Sequence, residues 1–578
     1  MTRNATLLLA LVAFGLAAPA GAQVRVTDDI EDDVTWTPDN VYLLDGLIFV
    51  DEGATLTIEA GTVIKGVAQD NITTGDGASA LVVRRGAQIE AVGEADAPII
   101  FTAEVDDVDD PADTLPTDRG LWGGVILLGR APTNANDGAG NQIDVQIEGI
   151  DFDPDAGTGE EAQYGGDDAD DDSGTLRYVS IRHGGFSISG VEGDEINGLT
   201  MGAVGSGTEI DYVEVYANLD DCFEWFGGTV NTSHLVGAFC GDDTFDYDQG
   251  FSGLGQYWFS IQGADIAGRA AEQDGGDNDL GGEGSSPLAI PVISNATYIG
   301  SGTNATPTNE DGNNPALFFR DNAGGKYYNS VYAFFPGAAL RIEDLASGAD
   351  SRARLEAGDL VVANSIFFGF GAGDTFAALN QDGSERTPDD VVVPILQDAD
   401  NRIADPGLRA IGRDQGDRGL DPSPAPGSAA ASGASFDADP LDGDDEDDFF
   451  EEVDYIGAFS PDGEVWLAGW SALSDNNFLT ARATPAETGP VAGAFGLTAG
   501  PNPTDAVTTV RFTLDRAQSV RVALYDALGR EVSVVADGAF AAGTTAVQLD
   551  AGALPAGVYV LRLEAEGGST ARQISVVR

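Results

Sequence analysis

Asp220-Asp221-Cys222-Phe223-Glu224-Trp225-Phe226-Gly227-Gly228 is answered 22 positions later by Asp242-Asp243-Thr244-Phe245-Asp246-Tyr247-Asp248-Gln249-Gly250. A recurrence at a fixed interval of this size marks a chain built from stacked units, each burying its apolar face against the next. Apolar columns keep the same interval: Val179, Met201, Phe223 and Phe245 form one, and Val213, Leu235 and Tyr257 another. The reading is a 22-residue coil that carries two apolar columns beside one acidic column.

Working outward from this repeat, short apolar runs separated by glycine recur from Val41 onward. Leu56-Thr57-Ile58, Ala80-Leu81-Val82-Val83, Ile99-Ile100-Phe101 and Val125-Ile126-Leu127-Leu128 are of this kind, and no helical periodicity is sustained. The 77 Gly and 25 Pro supply frequent turns. Short strands at coil spacing predict an all-β chain wound as a parallel β-solenoid; propellers and sandwiches favour longer repeats or hairpin turns. Segments 106–118, 151–172, 272–283 and 303–314, rich in Asp, Gly and Asn, read as surface loops. Regular coils return at 292–299, 316–320, 327–335 and 361–370, with Asn329-Ser330-Val331 and Asn364-Ser365-Ile366 as stacking turns. Residues 400–448, ending in the acidic run 442–448, read as an irregular excursion. Tyr455-Ile456-Gly457-Ala458-Phe459, with Trp466 and Trp470, reads as the cap that closes the end of the solenoid.

Past residue 484 the pattern changes. Residues 507–514, 520–525, 532–536, 546–549, 558–563 and 571–577 alternate apolar and polar side chains, which predicts a small antiparallel β-sandwich. The chain therefore divides into a leader at 1–22, a solenoid at 23–484 and a C-terminal domain at 485–578.

A net charge of -68, from 96 Asp+Glu against 28 Lys+Arg, argues against nucleic acid and anionic membranes as partners, since both need a basic surface. Lys65 and Lys326 are the only lysines, and the composition fits a protein adapted to high salt, where screening tolerates self-repulsion. Arg3, the apolar run 7–18 and Ala20-Gly21-Ala22 before Gln23 have the form of a secretory signal peptide. No later stretch is long enough to be a transmembrane segment. Cys222 and Cys240, the only cysteines, would then meet an oxidising compartment. Stacking places Cys240 over Asn218. Four extended residues span about 13 Å and a bridge needs Cα atoms under about 7 Å apart, so pairing requires a corner at 218–222 and is left open.

Two resemblances add an address. Pro501-Asn502-Pro503, Val522-Ala523-Leu524-Tyr525-Asp526-Ala527-Leu528-Gly529-Arg530-Glu531-Val532 and Leu554-Pro555-Ala556-Gly557-Val558-Tyr559-Val560-Leu561-Arg562 closely resemble the type A C-terminal sorting domain of type IX secretion cargo. The resemblance implies that residues 485–578 engage the type IX secretion machinery, with transport across the outer membrane and then release or surface attachment. The body, about 36–473, is similar to a family of exported right-handed β-helix proteins that often carry such a tail. The matching words are Gly53-Ala54-Thr55-Leu56-Thr57-Ile58-Glu59-Ala60-Gly61-Thr62-Val63-Ile64-Lys65-Gly66, Trp122-Gly123-Gly124-Val125-Ile126-Leu127-Leu128-Gly129-Arg130-Ala131 and Leu176-Arg177-Tyr178-Val179-Ser180-Ile181-Arg182-His183-Gly184-Gly185. This resemblance implies a right-handed parallel β-helix and no settled activity.

Adjacent strands of a parallel solenoid lie about 4.8 Å apart, which sets Asp220 beside Asp242, Asp221 beside Asp243 and Glu224 beside Asp246. Two like charges at about 5 Å cost roughly 3 kcal/mol at an effective dielectric of about 20, so a partly buried pair needs a bound cation or a retained proton. Ca²⁺ takes oxygen ligands of this kind. The candidate metal ligands are Asp220, Asp221, Glu224, Asp242, Asp243, Asp246 and Asp248; the bland reading is solvated acidity. No catalytic residue is assigned. Asp220-Asp221-Cys222 resembles an Asp-Asp-Cys word in polygalacturonases, but no Gly-His-Gly or Arg-Ile-Lys word follows and no Arg is evident at the acidic groove. His183, one coil before Gly205, reads as a structural hydrogen-bonder. Trp225, Tyr247, Tyr257 and Trp258 would stack on sugars if exposed, yet Trp225 and Tyr247 alternate with Glu224 and Asp246 and so face inward. The expectation is a secreted or cell-surface binding or structural protein, stabilised by Ca²⁺, that contacts glycan, polysaccharide or surface matrix. The alternative is a polysaccharide-cleaving β-helix enzyme.

Overall fold

The computed structural model describes residues 22–150, 162–186, 196–276, 280–306, 308, 315–346, 349–381, 383–439, 441 and 449–480. Further on it describes 496–500, 507–514, 518–526, 530–541, 543–552, 554–555, 557–565 and 568–576. The leader up to 21, residues 151–161 of the acidic insertion, the run 442–448, Pro501-Asn502-Pro503 and Ala527-Leu528-Gly529 lie outside the described residues. Two compact units divide the chain, 1–480 and 481–578.

The first unit is a right-handed parallel β-helix with three strands to a full coil. Thr55–Glu59, Val63–Gly66 and Ala80–Val83 make one coil; Gln88–Val92, Ile99–Ala103 and Val125–Leu128 lie on it strand for strand. Strands of the third kind form a nine-stranded parallel sheet running from Leu47–Val50 to Leu340–Ile342. Those of the first two kinds form a 19-stranded sheet folded along a bend. Every backbone ladder is thus satisfied between coils, and side chains alternate between the interior and the outer face. In the nine-stranded sheet Ile48, Leu81, Val125, Leu199, Phe223, Phe245, Ala271, Leu317 and Leu340 form one inward column in register. All nine are buried. Trp225 and Tyr247 also face inward, at 0% exposure, so the core reading of these aromatics holds.

The interval between coils is not constant. Phe223 pairs with Phe245 and Val213 with Leu235 at 22 residues, but Leu199 pairs with Phe223 at 24, Phe245 with Ala271 at 26 and Ala271 with Leu317 at 46. Three sequence expectations are corrected accordingly. Val179 stacks on Val213 in the long sheet and Met201 on Trp225 in the other, so neither belongs to the Phe223 column. Trp258, next to the in-register pair Val236 and Phe259, replaces Tyr257 as the neighbour of Leu235. His183 follows Arg182, the partner of Tyr216, and so lies beside Ala217 and not Gly205.

From Tyr178 onward one bend of the long sheet is left-handed at each coil. Tyr178, Tyr212, His234 and Tyr257 have φ of 50°, 55°, 51° and 60°, and Asn295, Asn329 and Asn364 continue at 57°, 52° and 47°. Such φ values are uncommon for bulky residues and easier for Asn. Stacking compensates: the Tyr178–Tyr212, Tyr212–His234 and His234–Tyr257 rings lie 4.5, 4.0 and 4.9 Å apart, and Asn364 Nδ2 donates to Asn329 Oδ1 at 2.7 Å.

Residues 400–480 are corrected too. Leu408–Ile411 pairs antiparallel with Leu420–Pro424, so the excursion contains a hairpin. Phe459, Leu467, Trp470 and Leu473 pack over Tyr216, Val236, Phe239 and Phe259, covering a flank of the solenoid and not its end. The core past the last coil is instead joined by Val392 and Leu396 of the helix Asp389–Asp398.

The second unit has a three-stranded and a four-stranded antiparallel sheet, built from six strands at the predicted runs plus Gly496–Gly500. Val510, Phe512, Val522, Leu524, Leu561 and Leu563 form its buried core.

Candidate functional site

The outer face of the nine-stranded sheet changes character along its length. Its central outward column reads Phe49, Val82, Ile126, Thr200, Glu224, Asp246, Glu272, Phe318 and Arg341. The apolar half is covered by the insertion after the strand Val125–Leu128, where Val145, Ile147, Ile150 and Tyr164 pack on Val82, Ile126, Leu128 and Phe226. Charged residues begin where that cover ends.

The duplicated words lie on adjacent strands, Phe223–Phe226 and Phe245–Asp248. Each leaves its strand through glycine: a Cβ on Gly228, at φ 87°, would meet Val204 O at 2.4 Å. Cys222 and Cys240 form a disulfide with Cα atoms 5.7 Å apart, so the required corner exists. Asn218 Nδ2 pins it by donating to Asp221 O at 2.7 Å.

Three carboxylate groups converge, each with oxygens within 4.8 Å of one another: Asp220, Asp221 and Asp242; Asp221, Glu224 and Asp246; and Asp243, Asp246 and Glu272. Asp248, in register with Phe226, joins none of the three. Asp221 and Glu224 are each 8% exposed and Asp243 1%. The Asp243 N–H donates to Asp221 Oδ1 at 2.9 Å, tying the two words together. Asn197 Nδ2 donates to Glu224 and, at 3.1 Å, to Glu148.

Burial, followed by the fields of Asp220 and Asp246, pushes the Asp221 carboxyl well above the usual carboxylate range. Burial and then Glu148 do the same to Glu224. Asp246 and Glu272 are raised by burial first and then by Asp274 and Asp243 respectively.

Positive charge enters from coils that the 22-residue interval does not reach. Arg269 Nη1 pairs with Glu272 and, at 3.2 Å, with Asp243 Oδ2. Arg320 holds Asp274 through two bonds, 2.6 and 2.7 Å, and reaches Glu272 Oε1 at 3.3 Å. Burial opposes the Arg320 charge, but Asp274 and Glu272 outweigh it and raise its pKa. Arg269, Arg320 and Arg341 surround the Phe318 ring, with Cζ atoms 5.0, 5.9 and 4.6 Å from its centre. The groove therefore has arginines, contrary to the sequence reading. Segment 272–283 is likewise not wholly a loop: Ala271–Asp274 is a strand of this sheet and brings Glu272 and Asp274 to the site. Asn197 and Glu148 were also missed. His183 Nδ1 donates to the Asp118 carbonyl oxygen, 2.6 Å away, and joins none of the three acid groups.

Family comparisons agree with this architecture. Residues 28–391 match the pectate-lyase-like β-helix domain model. The chain belongs to that family. Residues 500–577 of this β-helix protein match the secretion system C-terminal sorting domain. The sorting domain makes it a secreted or cell-surface protein that involves the type IX secretion machinery. No helix among the described residues is long and apolar enough to cross a membrane. The search of curated proteins found no match.

Proposed function

We propose that this β-helix protein acts outside the cell as a binding or structural protein that takes up Ca²⁺ on the acidic face and contacts glycan or matrix there. One observation carries the reading: carboxylate oxygens of Asp221, Glu224 and Asp246 converge within 4.8 Å of one another, Asp221 and Glu224 are each 8% exposed, and Glu148 adds its charge beside Glu224. Three carboxylates held this way repel one another, and a hard cation with oxygen coordination relieves that repulsion. Titration of the full chain with calcium chloride, read by heat and by thermal unfolding, tests the ion; a glycan array run with and without Ca²⁺ tests the ligand. Unchanged heat and unfolding would sink the ion, and an array without hits would sink the glycan.

A second reading, cleavage of a polysaccharide, is favoured by Arg269 and Arg320 beside carboxyls whose pKa is raised. A Glu224 carboxyl pushed above the usual range by burial suits a general acid. Release of reducing ends from an acidic polysaccharide, lost in Glu224→Gln, would establish it; no release across a substrate panel would remove it.

A further inference from the structure

We propose that the N-terminal end of the β-helix is a docking surface for a basic polypeptide strand, one that adds to the bare edge of Ala22–Val26 and sets Lys or Arg against the acidic turn 28–33. The two ends of the solenoid core differ. At the far end Val392 and Leu396 of the helix Asp389–Asp398 join the core beyond the last coil. At the near end the first coil continues the inward columns: Val24 lies in register with Tyr42, Val26 with Leu44, Ile30 with Val50, Val34 with Leu56 and Trp36 with Ile58. The second member of every pair is at most 6% exposed, whereas Val24 is 38% exposed. Val26 and Val34 are only half-buried.

Among the described residues Ala22–Val26 pairs with Asn40–Leu44 alone, and Val34–Trp36 with Thr55–Glu59 alone. Successive residues of a strand turn their N–H and C=O groups to opposite sides. Val26 O accepts from Asp45 N at 2.9 Å, towards the sheet, so the backbone groups of Gln23 and Arg25 point away from it. The Arg25 guanidinium clamps the strand in place, on Asp45 at 2.6 Å and on Asn71 O at 2.7 Å. A bare edge of this kind is a template for an added strand. Beside it lies a hollow of about 600 Å³, floored by Val26, Ile30, Val34 and Trp36.

Charge selects the occupant. Asp28, Asp29, Glu31, Asp32 and Asp33 are exposed, and none of them forms a salt bridge among the described residues. Their turn is fixed to the rung beneath: Phe49 N donates to Asp29 Oδ1 at 3.1 Å, and Thr55 N to Asp33 Oδ1 at 3.0 Å. A second copy would bring the same acids against these, on a chain of net charge -68, and like charges disfavour that pairing. A strand of alternating apolar and basic side chains meets both demands. Its apolar residues stack over Val24 and Val26, and its basic residues, where it runs on past Val26, reach Asp28 and Asp29.

Binding of short labelled peptides to the full chain, read by fluorescence anisotropy with hydrogen exchange on the same samples, tests this. A peptide of alternating Val and Lys should bind at least about tenfold more tightly than one of alternating Ser and Lys or of alternating Val and Glu. It should weaken by at least about tenfold between about 0.1 and about 1 M sodium chloride, and it should slow exchange in residues 23–26. Val24→Ser should lower its affinity by about fivefold or more, and Asp28→Asn with Asp29→Asn should flatten its salt dependence. All three side chains are exposed, so these variants should keep the fold. No binding of the Val-Lys peptide, equal binding of the Ser-Lys peptide, or slowed exchange that spares residues 23–26 would each overturn the inference. Dimerisation of the peptide-free chain in sedimentation, lost in Val24→Ser, would overturn it in favour of a second copy.

Discussion

Glu224 and Asp246 are cross-strand partners on neighbouring rungs of the β-helix, and with Asp221 their carboxylate oxygens lie within 4.8 Å of one another. Like charges in direct register destabilise a sheet, here beside two inward columns of buried aromatics, Phe223 with Phe245 and Trp225 with Tyr247. The stability of the coil and the chemistry of its outer face are therefore linked.

Asp246→Asn should separate the two. Without Ca²⁺ the variant loses a repulsion of roughly 1–3 kcal/mol and should unfold at higher temperature than wild type. With excess Ca²⁺ the order should reverse, because the variant lacks a ligand. Scanning calorimetry in chelator and in calcium chloride reads both halves.

Asp321 sets a pH dependence. Burial, then Asp274, raises its carboxyl to about 7 from an ordinary 3.8. The folded state thus holds the proton more tightly than the unfolded chain, and stability from this group should fall as pH rises from about 4 to about 7. Asp321→Asn should flatten that slope. Asp45 works in the other sense: despite the cost of burial, Arg25 and Thr73 hold its carboxyl down at about 2, so its contribution is present above pH about 4 and lost as pH falls towards 2.

Glu214 fastens the flanking strap. Fully buried, it accepts from Ser180 Oγ at 2.6 Å and from the N–H groups of Ala472 and Leu473 at 2.6 and 3.3 Å. Glu214→Ala leaves those donors unsatisfied beside Arg182, a loss of about 3–5 kcal/mol for a broken buried network. Limited proteolysis within 458–480 should become fast while the nine-stranded sheet stays protected from hydrogen exchange.

The disulfide closes the acidic corner across 18 residues. Replacing Cys222 and Cys240 with Ser should cost about 2–4 kcal/mol in denaturant unfolding.

Legibility in the sequence follows coil regularity. Two consecutive coils, from Glu209–Tyr216 to Phe245–Asp248, carry no insertion, so their residues recur at 22 and Glu224 could be matched to Asp246 by counting. Arg269, Glu272 and Arg320 belong to the same face but follow intervals of 26 and 46, and nothing local marks them as neighbours of Asp243. The Asn329 and Asn364 end of the bend column is legible as stacked Asn-Ser turns, but Tyr178, Tyr212, His234 and Tyr257 continue it through ring stacking, which no shared residue type marks. In the C-terminal unit, one-sided antiparallel strands alternate plainly, and residues 507–514 were readable to the residue.

The central claim is that Asp221, Glu224 and Asp246 bind a cation. Its most direct test is thermal unfolding of the full chain across a calcium chloride titration, with Glu224→Gln alongside. A midpoint that climbs with Ca²⁺ in wild type and stays flat in Glu224→Gln is the predicted result. Flat midpoints in both, or an equal climb in both, would contradict it.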